Sequence, residues 1–199
     1  EAFAEGIRLA KPLVISAYPI TPQTTVVERL SEMVADGDLK SEFIHVESEH
    51  SALSCAIGAS AVGARTFTAT SSQGLLYMAE DSGWIQAYAE NAQESLDLAL
   101  MSYYVAEHKN VSTPCMVNLD GFVLTHTYEV VDVPDVEQAD AFLPPFETEN
   151  KIDFDNPKNL AFSAGPDQNY IFKYNEHIGV INAKDVIKEA EEKFAKIFG

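Results

Sequence analysis

Short apolar segments alternate with helical segments along the first two thirds of the chain, and this alternation constrains the fold more than any other feature. The strand-like segments are rich in β-branched and aromatic residues, and helical spacing of apolar residues separates most of them. Strands that alternate with helices form a mostly parallel sheet flanked by helices, so the sequence predicts an α/β fold. The predicted strands are 13–18, 42–46, 65–69, 84–89 and 114–119.

Polar turns follow four of these strands, at 19–22, 47–50, 70–74 and 120–122. In parallel α/β sheets, ligands bind beyond the carboxyl ends of the strands. We therefore expect the four turns to line one cleft. The candidate side chains in them are Thr21, Glu47, Glu49, His50, Ser71, Gln73 and Asp120.

The composition excludes several classes of function. Lysine and arginine number 13 against 31 aspartates and glutamates, and the formal net charge is −18. Binding of nucleic acid or of an anionic membrane surface requires basic surface, so neither is expected. No apolar run approaches the ~18 residues of a membrane span. Two isolated cysteines, Cys55 and Cys115, cannot form a disulfide framework or an iron–sulfur site, and they suggest a reducing cytoplasm.

The character of the sequence changes near residue 132, where prolines and acids become frequent. We divide the chain into an α/β domain (1–131), an extended arm (132–182) and a closing helix (183–199). The arm is too long for an ordinary loop, so we expect it to lie on another domain or subunit. Its aromatic rings should be buried against this domain or a partner chain; they are Phe142, Phe146, Phe154, Phe162, Tyr170, Phe172 and Tyr174.

One crossover is too short for the pattern that the chain otherwise keeps. Residues 74–80 begin like a helix, yet only these seven separate the preceding turn from Asp81. A connection between parallel strands requires a dozen residues or more. The connection that runs through Glu80 to Asp81 is therefore too short for an ordinary crossover.

Five motifs occur in a characteristic order. They are YPITPQT (18–24), VESEHSA (46–52), GASAVGARTFTATSSQGL (58–75), DSGWIQAYAEN (81–91) and DGFVLTHTYE (120–129). On these motifs the chain resembles the α subunits of pyruvate:ferredoxin oxidoreductases, within the 2-oxoacid:ferredoxin oxidoreductase family. The resemblance covers residues 1–145 and the closing helix, and it corresponds to the N-terminal domain that binds the pyrimidine half of thiamine diphosphate.

The resemblance implies a subunit that is active only in a complex. The complex would decarboxylate pyruvate oxidatively on thiamine diphosphate, form acetyl-CoA and CO2, and pass electrons to ferredoxin. A β subunit would provide the diphosphate, magnesium and iron–sulfur sites. The γ and δ subunits would provide further parts for assembly and electron transfer. This chain lacks the GDG diphosphate motif, so we assign it no metal. The alternatives are the same chemistry on a branched-chain 2-oxoacid or 2-oxoglutarate, or a non-catalytic α/β scaffold.

The resemblance also implies roles for individual residues. Glu49 would exchange a proton with N1′ of the aminopyrimidine, and Thr21 would orient the substrate. The backbone of Tyr18 and Pro19 would line the pyrimidine site, and Gln73 would contact cofactor or partner. The residues alone leave other interpretations open: Glu47 and Glu49 both suit a helix N-terminus, Thr21 suits a cap, and Gln73 suits a simple turn. His50, His126 and Asp120 receive no role.

The chain departs from the family in two places. Family members carry a few dozen further residues before DSGWIQ, with a helix, a strand and a loop whose arginine contacts substrate. That stretch is absent from the sequence, by deletion or by omission. Members also continue beyond the position of Gly199 into a second domain, so we expect the chain to be part of a longer protein.

Overall fold

A computed structural model describes residues 1–79, 83–160 and 163–199. Strands and helices alternate along it, which confirms the α/β prediction. None of its helices is both long enough and apolar enough to cross a membrane, within the residues described. The elements are α1 (Ala2–Ala10), β1 (Val14–Ala17), α2 (Thr24–Asp36), β2 (Glu42–His45), α3 (Glu49–Ser60), β3 (Thr66–Phe67), α4 (Ser72–Ala79), β4 (Ile85–Tyr88), α5 (Ala92–Glu107), β5 (Cys115–Asn118), a 3-10 turn (Leu124–His126), α6 (Val136–Phe142) and α7 (Pro166–Phe198).

All strand pairs that the structure describes are parallel, as the sequence predicted. The first three strands have the order β2-β1-β3, and Ile15 of β1 lies opposite Phe43 and Phe67. Strands β4 and β5 form a second sheet, in which Ile85 lies opposite Cys115. The described strands thus form two sheets rather than one. The proposed gap between Glu80 and Asp81 lies outside the described residues.

Helices α1 and α5 pack together across the middle of the protein. Gly6 permits this contact, because a Cβ there would lie 2.7 Å from the Leu96 carbonyl oxygen and from Ala99 Cβ. Buried Arg65 ties the same region together: its guanidinium pairs with Glu107 of α5 at 2.6 Å and donates to the Ala10 carbonyl. The core therefore fixes β1 and β3 relative to α5, and with them the turns that follow those strands.

The closing helix is longer than the sequence indicated. Helix α7 begins at Pro166, so residues 166–182, which we expected to belong to the arm, form its first half. A second helix, α6, also lies within the expected arm. Proline has no backbone N–H and therefore suits the first turn of a helix, which is where Pro166 stands. The prolines of this region, which in the sequence suggest irregular structure, therefore include one that begins a helix.

The aromatic rings of the expected arm differ in their environments. Phe142 is fully buried in the core, where it packs against Phe194 and Phe198 of α7. Phe146 is half-buried, and Phe162 lies outside the described residues. The other four rings are exposed in this single chain: Phe154, Tyr170, Phe172 and Tyr174. Their contact with a partner stays a prediction.

Candidate functional site

The four predicted turns meet at the carboxyl ends of the strands. The Ser71 hydroxyl donates a hydrogen bond of 2.8 Å to the Thr21 carbonyl, which joins the turn after β3 to the turn after β1. The turn after β5 reaches the same place, because a Cβ on Gly121 would lie 3.5 Å from Pro22 Cγ. Gly74 packs against Glu49, and this contact joins the turn after β3 to the turn after β2. These contacts confirm the convergence that the sequence predicted.

The turn after β1 presents Thr21 on its exposed side. The Tyr18 carbonyl accepts a hydrogen bond of 3.0 Å from Gln23 Nε2, which fixes the start of this turn. Tyr18 is half-buried, whereas Pro19 and Thr21 are exposed. The other amide atom, Gln23 Oε1, is buried without a hydrogen-bond partner among the described residues. Gln23 is therefore a polar residue of the site that sequence analysis did not single out.

The two glutamates of the turn after β2 have different environments. Ser48 caps helix α3 by accepting from the Ser51 backbone N–H at 3.1 Å. Glu47 is exposed, and its carboxylate accepts from the Ser51 hydroxyl at 2.9 Å. Its own backbone N–H and then Ser51 lower the pKa of Glu47 by stabilising the charged form. Glu49 is half-buried and turns toward Gly74 instead.

Gly74 provides the surface against which the Glu49 side chain lies. A Cβ at this position would be 2.6 Å from Glu49 Cγ and 2.9 Å from Glu49 Oε1, and nearer still to the Thr70 hydroxyl. No side chain larger than hydrogen fits there unless these groups move. The hydroxyls of Thr68 and Thr70 are both buried, and neither has a hydrogen-bond partner in the part of the chain that is described.

The remaining candidates lie at the edge of this cluster. Gln73 is exposed, and its Oε1 accepts from the Ser72 hydroxyl at 2.6 Å. His50 is exposed at the start of α3. His126 stacks on Phe122, with 5.9 Å between ring centroids and 18° between planes. The structure thus places Gln73 nearer to solvent than Glu49, which suits contact with another molecule.

Asp120 stabilises the turn after β5. Its carboxylate accepts from the backbone N–H groups of Phe122 (3.2 Å), Val123 and Leu124 (3.3 Å). These hydrogen bonds, Val123 first, lower the pKa of Asp120 because they favour its charged form. The described residues contain no cluster of three or more potential metal ligands. The assignment of magnesium to a partner stays a prediction.

The residues present suit the pyrimidine half of thiamine diphosphate. An aminopyrimidine carries both donors and acceptors, and it requires one carboxyl at N1′. The site has a half-buried carboxylate at Glu49, and the Gln23 oxygen and Thr70 hydroxyl are buried polar atoms available for new hydrogen bonds. The diphosphate half would require anion-binding groups, and the sequence has no glycine-rich phosphate motif.

Comparison with protein families gives a match over most of the chain. The family model described as "Pyruvate flavodoxin/ferredoxin oxidoreductase, thiamine diP-bdg" matches residues 5–82 and 79–192. The two matched segments overlap at residues 79–82, the region where the crossover is too short. In agreement, the alignment with one relative spans 237 positions against the 199 residues here, a difference of 38.

Curated relatives align with the chain from end to end. The pyruvate synthase subunit PorA of Methanothermobacter thermautotrophicus is 42% identical over 100% of this chain and 62% of its own length. PorA of Pyrococcus abyssi is 44% identical, covering 100% and 60%. The ketoisovalerate oxidoreductase subunit VorA of Pyrococcus abyssi is 39% identical, again covering 100% and 60%. The chain thus spans about three fifths of the length of these relatives.

A solved structure has the same fold. The 2-oxoglutarate:ferredoxin oxidoreductase from Magnetococcus marinus superposes with a TM-score of 0.65, at 16% identity, over 92% of this chain and 44% of the other. This similarity supports the arrangement of parallel strands and flanking helices. Together with the family match and the curated relatives, it leads to one conclusion: the chain belongs to the thiamine diphosphate-binding family of the pyruvate flavodoxin/ferredoxin oxidoreductases.

Proposed function

We propose that this chain contributes the pyrimidine half of the thiamine diphosphate site in a pyruvate:ferredoxin oxidoreductase, as part of its α subunit. The observation that carries the proposal is the position of Glu49. Its side chain is half-buried and lies against Gly74, and the buried Thr70 hydroxyl lies beside the same glycine. The relatives named as pyruvate synthase subunits, at 42–44% identity, support the reaction.

Glu49 has the features that a proton-transfer group at N1′ requires. Thiamine diphosphate, when bound, supplies the electron sink for decarboxylation of a 2-oxoacid. The protein must hold one carboxyl where it can give a proton to the pyrimidine and take it back. Glu49 is the first residue of α3, so the rigid start of this helix positions it. Its partial burial excludes part of the water that would otherwise compete for the hydrogen bond.

Thr21 and the backbone beside it form the second part of the proposed site. Thr21 is exposed, and its backbone is held by the hydrogen bond from Ser71, so its hydroxyl would orient a substrate carboxylate or carbonyl. The backbone of Tyr18 and Pro19 follows directly from β1 and would line the pyrimidine. Gln73, at the solvent edge, would contact cofactor or partner.

The other half of the cofactor site would come from a β subunit. An exposed apolar loop borders the cleft: Phe122 is 83% and Tyr128 101% exposed, and the loop begins at Gly121 beside Pro22. We propose that this loop faces the β subunit, which would hold the diphosphate and magnesium. Iron–sulfur clusters would also lie on partner chains. The complete cytoplasmic enzyme would include γ and δ subunits, and it would react with ferredoxin and coenzyme A.

A second candidate substrate follows from the comparisons. The ketoisovalerate oxidoreductase subunit is 39% identical over the whole chain, only slightly less than the pyruvate synthase subunits. Branched-chain 2-oxoacids, and 2-oxoglutarate, are therefore the alternatives for the same chemistry. Turnover of the purified complex on a panel of 2-oxoacids separates them, and the proposal requires pyruvate to have the highest kcat/KM. A scaffold without catalysis would turn over none of them.

Substitution of the two neighbouring glutamates tests the role of Glu49. Glu49→Gln removes the transferable proton and keeps the shape, so turnover of the assembled enzyme should fall by about 10²–10⁴-fold. Glu47→Gln is the matched control, since Glu47 lies two residues earlier in the same turn and is exposed. It should keep nearly normal turnover. Both variants should assemble normally, and a Glu49→Gln enzyme with normal turnover would refute the assignment.

A further inference from the structure

The buried Thr70 hydroxyl and the proposed catalytic carboxyl lie beside the same glycine, Gly74. Thr70 Oγ1 and Glu49 Oε1 both approach the same point, the position that a Cβ would occupy on Gly74. The hydroxyl is buried, and no hydrogen-bond partner for it is found among the described residues. Two oxygens, one of them able to donate, therefore face the same small volume beside Gly74.

A buried hydroxyl without a partner is costly, so its presence beside a proposed site calls for an explanation. A threonine hydroxyl donates one hydrogen bond, and an ionised carboxylate can only accept. Rotation about χ3, the last side-chain torsion of a glutamate, has a broad energy minimum. The carboxylate of Glu49 can therefore rotate about χ3 at little cost while χ1 and χ2 stay as they are. The geometry and the chemistry of the pair are thus complementary.

We propose that Thr70 is a positioning residue for Glu49: its hydroxyl donates to one carboxyl oxygen of Glu49 and leaves the other oxygen to meet N1′ of the pyrimidine. This inference rests on the proposed function of Glu49. A carboxyl anchored through one oxygen keeps the other in a single orientation. Fixed orientation of a reacting group is a main source of rate enhancement.

Thr68, which lies between β3 and Thr70, offers a matched control. Val14 lies opposite Thr66 in the sheet, and the hydroxyl of Ser16 on the same face donates to the Ala52 carbonyl of α3 at 2.7 Å. Because residues two apart on an extended chain share a face, Thr68 also lies on the α3 side. Its hydroxyl is buried and unpartnered among the described residues, like that of Thr70. The three atoms nearest to a Cβ on Gly74 belong to Thr70 and Glu49.

The test uses the complete enzyme assembled with its partner subunits. Exchange of the C2 proton of bound thiamine diphosphate with deuterium measures cofactor activation without turnover. Loss of one hydrogen bond to the carboxyl in Thr70→Val should slow this exchange by about 3- to 10-fold. The Kd for thiamine diphosphate should stay unchanged, and Thr70→Ser, which keeps the hydroxyl, should restore the rate. Thr68→Val should behave like the unmodified enzyme.

Each outcome has a defined meaning. If Glu49→Gln loses exchange but Thr70→Val does not, the role of Thr70 is refuted and the proposed function stands. If Glu49→Gln keeps normal exchange, the proposed function itself fails. If Thr68→Val slows exchange as much as Thr70→Val, the effect comes from packing and the positioning role is refuted. Should Thr70→Val not assemble, Thr70→Ala also lacks the hydroxyl and carries the same expectation.

Discussion

The side chain of Glu49 lies against the α-carbon of Gly74, so the first turn of helix α4 sets where the carboxylate of helix α3 can be. A Cβ on Gly74 would lie 2.6 Å from Glu49 Cγ, a separation that side chains do not adopt. The proposed catalytic carboxyl is thus positioned by a residue with no functional group of its own. Gly74 acts through its missing side chain, because the Glu49 side chain occupies the space that a Cβ would fill.

Gly74→Ala should therefore separate activity from stability. Alanine favours a helix over glycine by about 0.8–1 kcal/mol, and the three atoms nearest to the Cβ belong to side chains rather than backbone, so the fold should survive. The carboxylate of Glu49 must move by a few tenths of an ångström or more. We expect kcat of the assembled enzyme to fall about 10- to 100-fold with little change in the melting temperature.

Gly121→Ala is the control for this substitution. It lies in the same cleft, but its Cβ would be 3.5 Å from Pro22 Cγ, which is an ordinary contact. Activity of the Gly121→Ala enzyme should be close to normal. If the two variants lose activity equally, an added carbon is harmful throughout the cleft, and the specific role proposed for Gly74 is refuted.

Asp120 should control the order of the loop that follows β5. Its carboxylate accepts three consecutive backbone N–H groups, so Asp120→Ala should speed hydrogen exchange at Phe122, Val123 and Leu124. The pH dependence follows from the lowered pKa of Asp120. Above the ordinary pKa of an aspartate, near 3.9, the carboxylate is charged and the three amides are fully protected from exchange. This protection is lost as the pH falls through the lower pKa that Asp120 has in the folded protein. Amide exchange measured by mass spectrometry checks both statements.

Two helical glycines should respond in opposite directions to alanine. A Cβ on Gly6 would lie 2.7 Å from the Leu96 carbonyl oxygen, and backbone cannot easily move, so Gly6→Ala should destabilise by about 1–3 kcal/mol. Gly58 lies inside α3 with no described atom within 4 Å of its Cβ position, so Gly58→Ala should stabilise by about 0.5–1 kcal/mol. Urea unfolding of both variants provides the measurement. A stabilised Gly6→Ala protein would contradict the close α1–α5 packing.

The strands could be predicted from the sequence because each is a short apolar run between turn residues. Residues 13–18 were expected as a strand, and β1 occupies Val14–Ala17. Helix α7 was only half recognised, since local composition cannot tell a proline that ends a helix from Pro166, which begins one. The separation into two sheets was also missed, although the short crossover before Asp81 marked the place where it occurs.

The site was predicted in part, and the limit has a physical reason. The turns followed from the rule for parallel sheets, but two glutamates in one turn could not be separated by spacing. The structure separates them because Ser51 holds Glu47 in solvent while Glu49 reaches Gly74. Gln23 and Thr70 were overlooked, since a buried hydroxyl or amide is recognised only when its surroundings in three dimensions are known.

The exposed loop after β5 should be a contact with the β subunit. Large apolar side chains that border an incomplete site are typical anchors of an interface. Tyr128→Ser should therefore weaken assembly with the β subunit by about tenfold or more, measured as the Kd between separately purified subunits. Leu13→Ser is the control, because Leu13 is also exposed (55%) but precedes β1 and so lies at the other end of the strands. Equal weakening by both substitutions, or none by Tyr128→Ser, would show that the β subunit docks elsewhere.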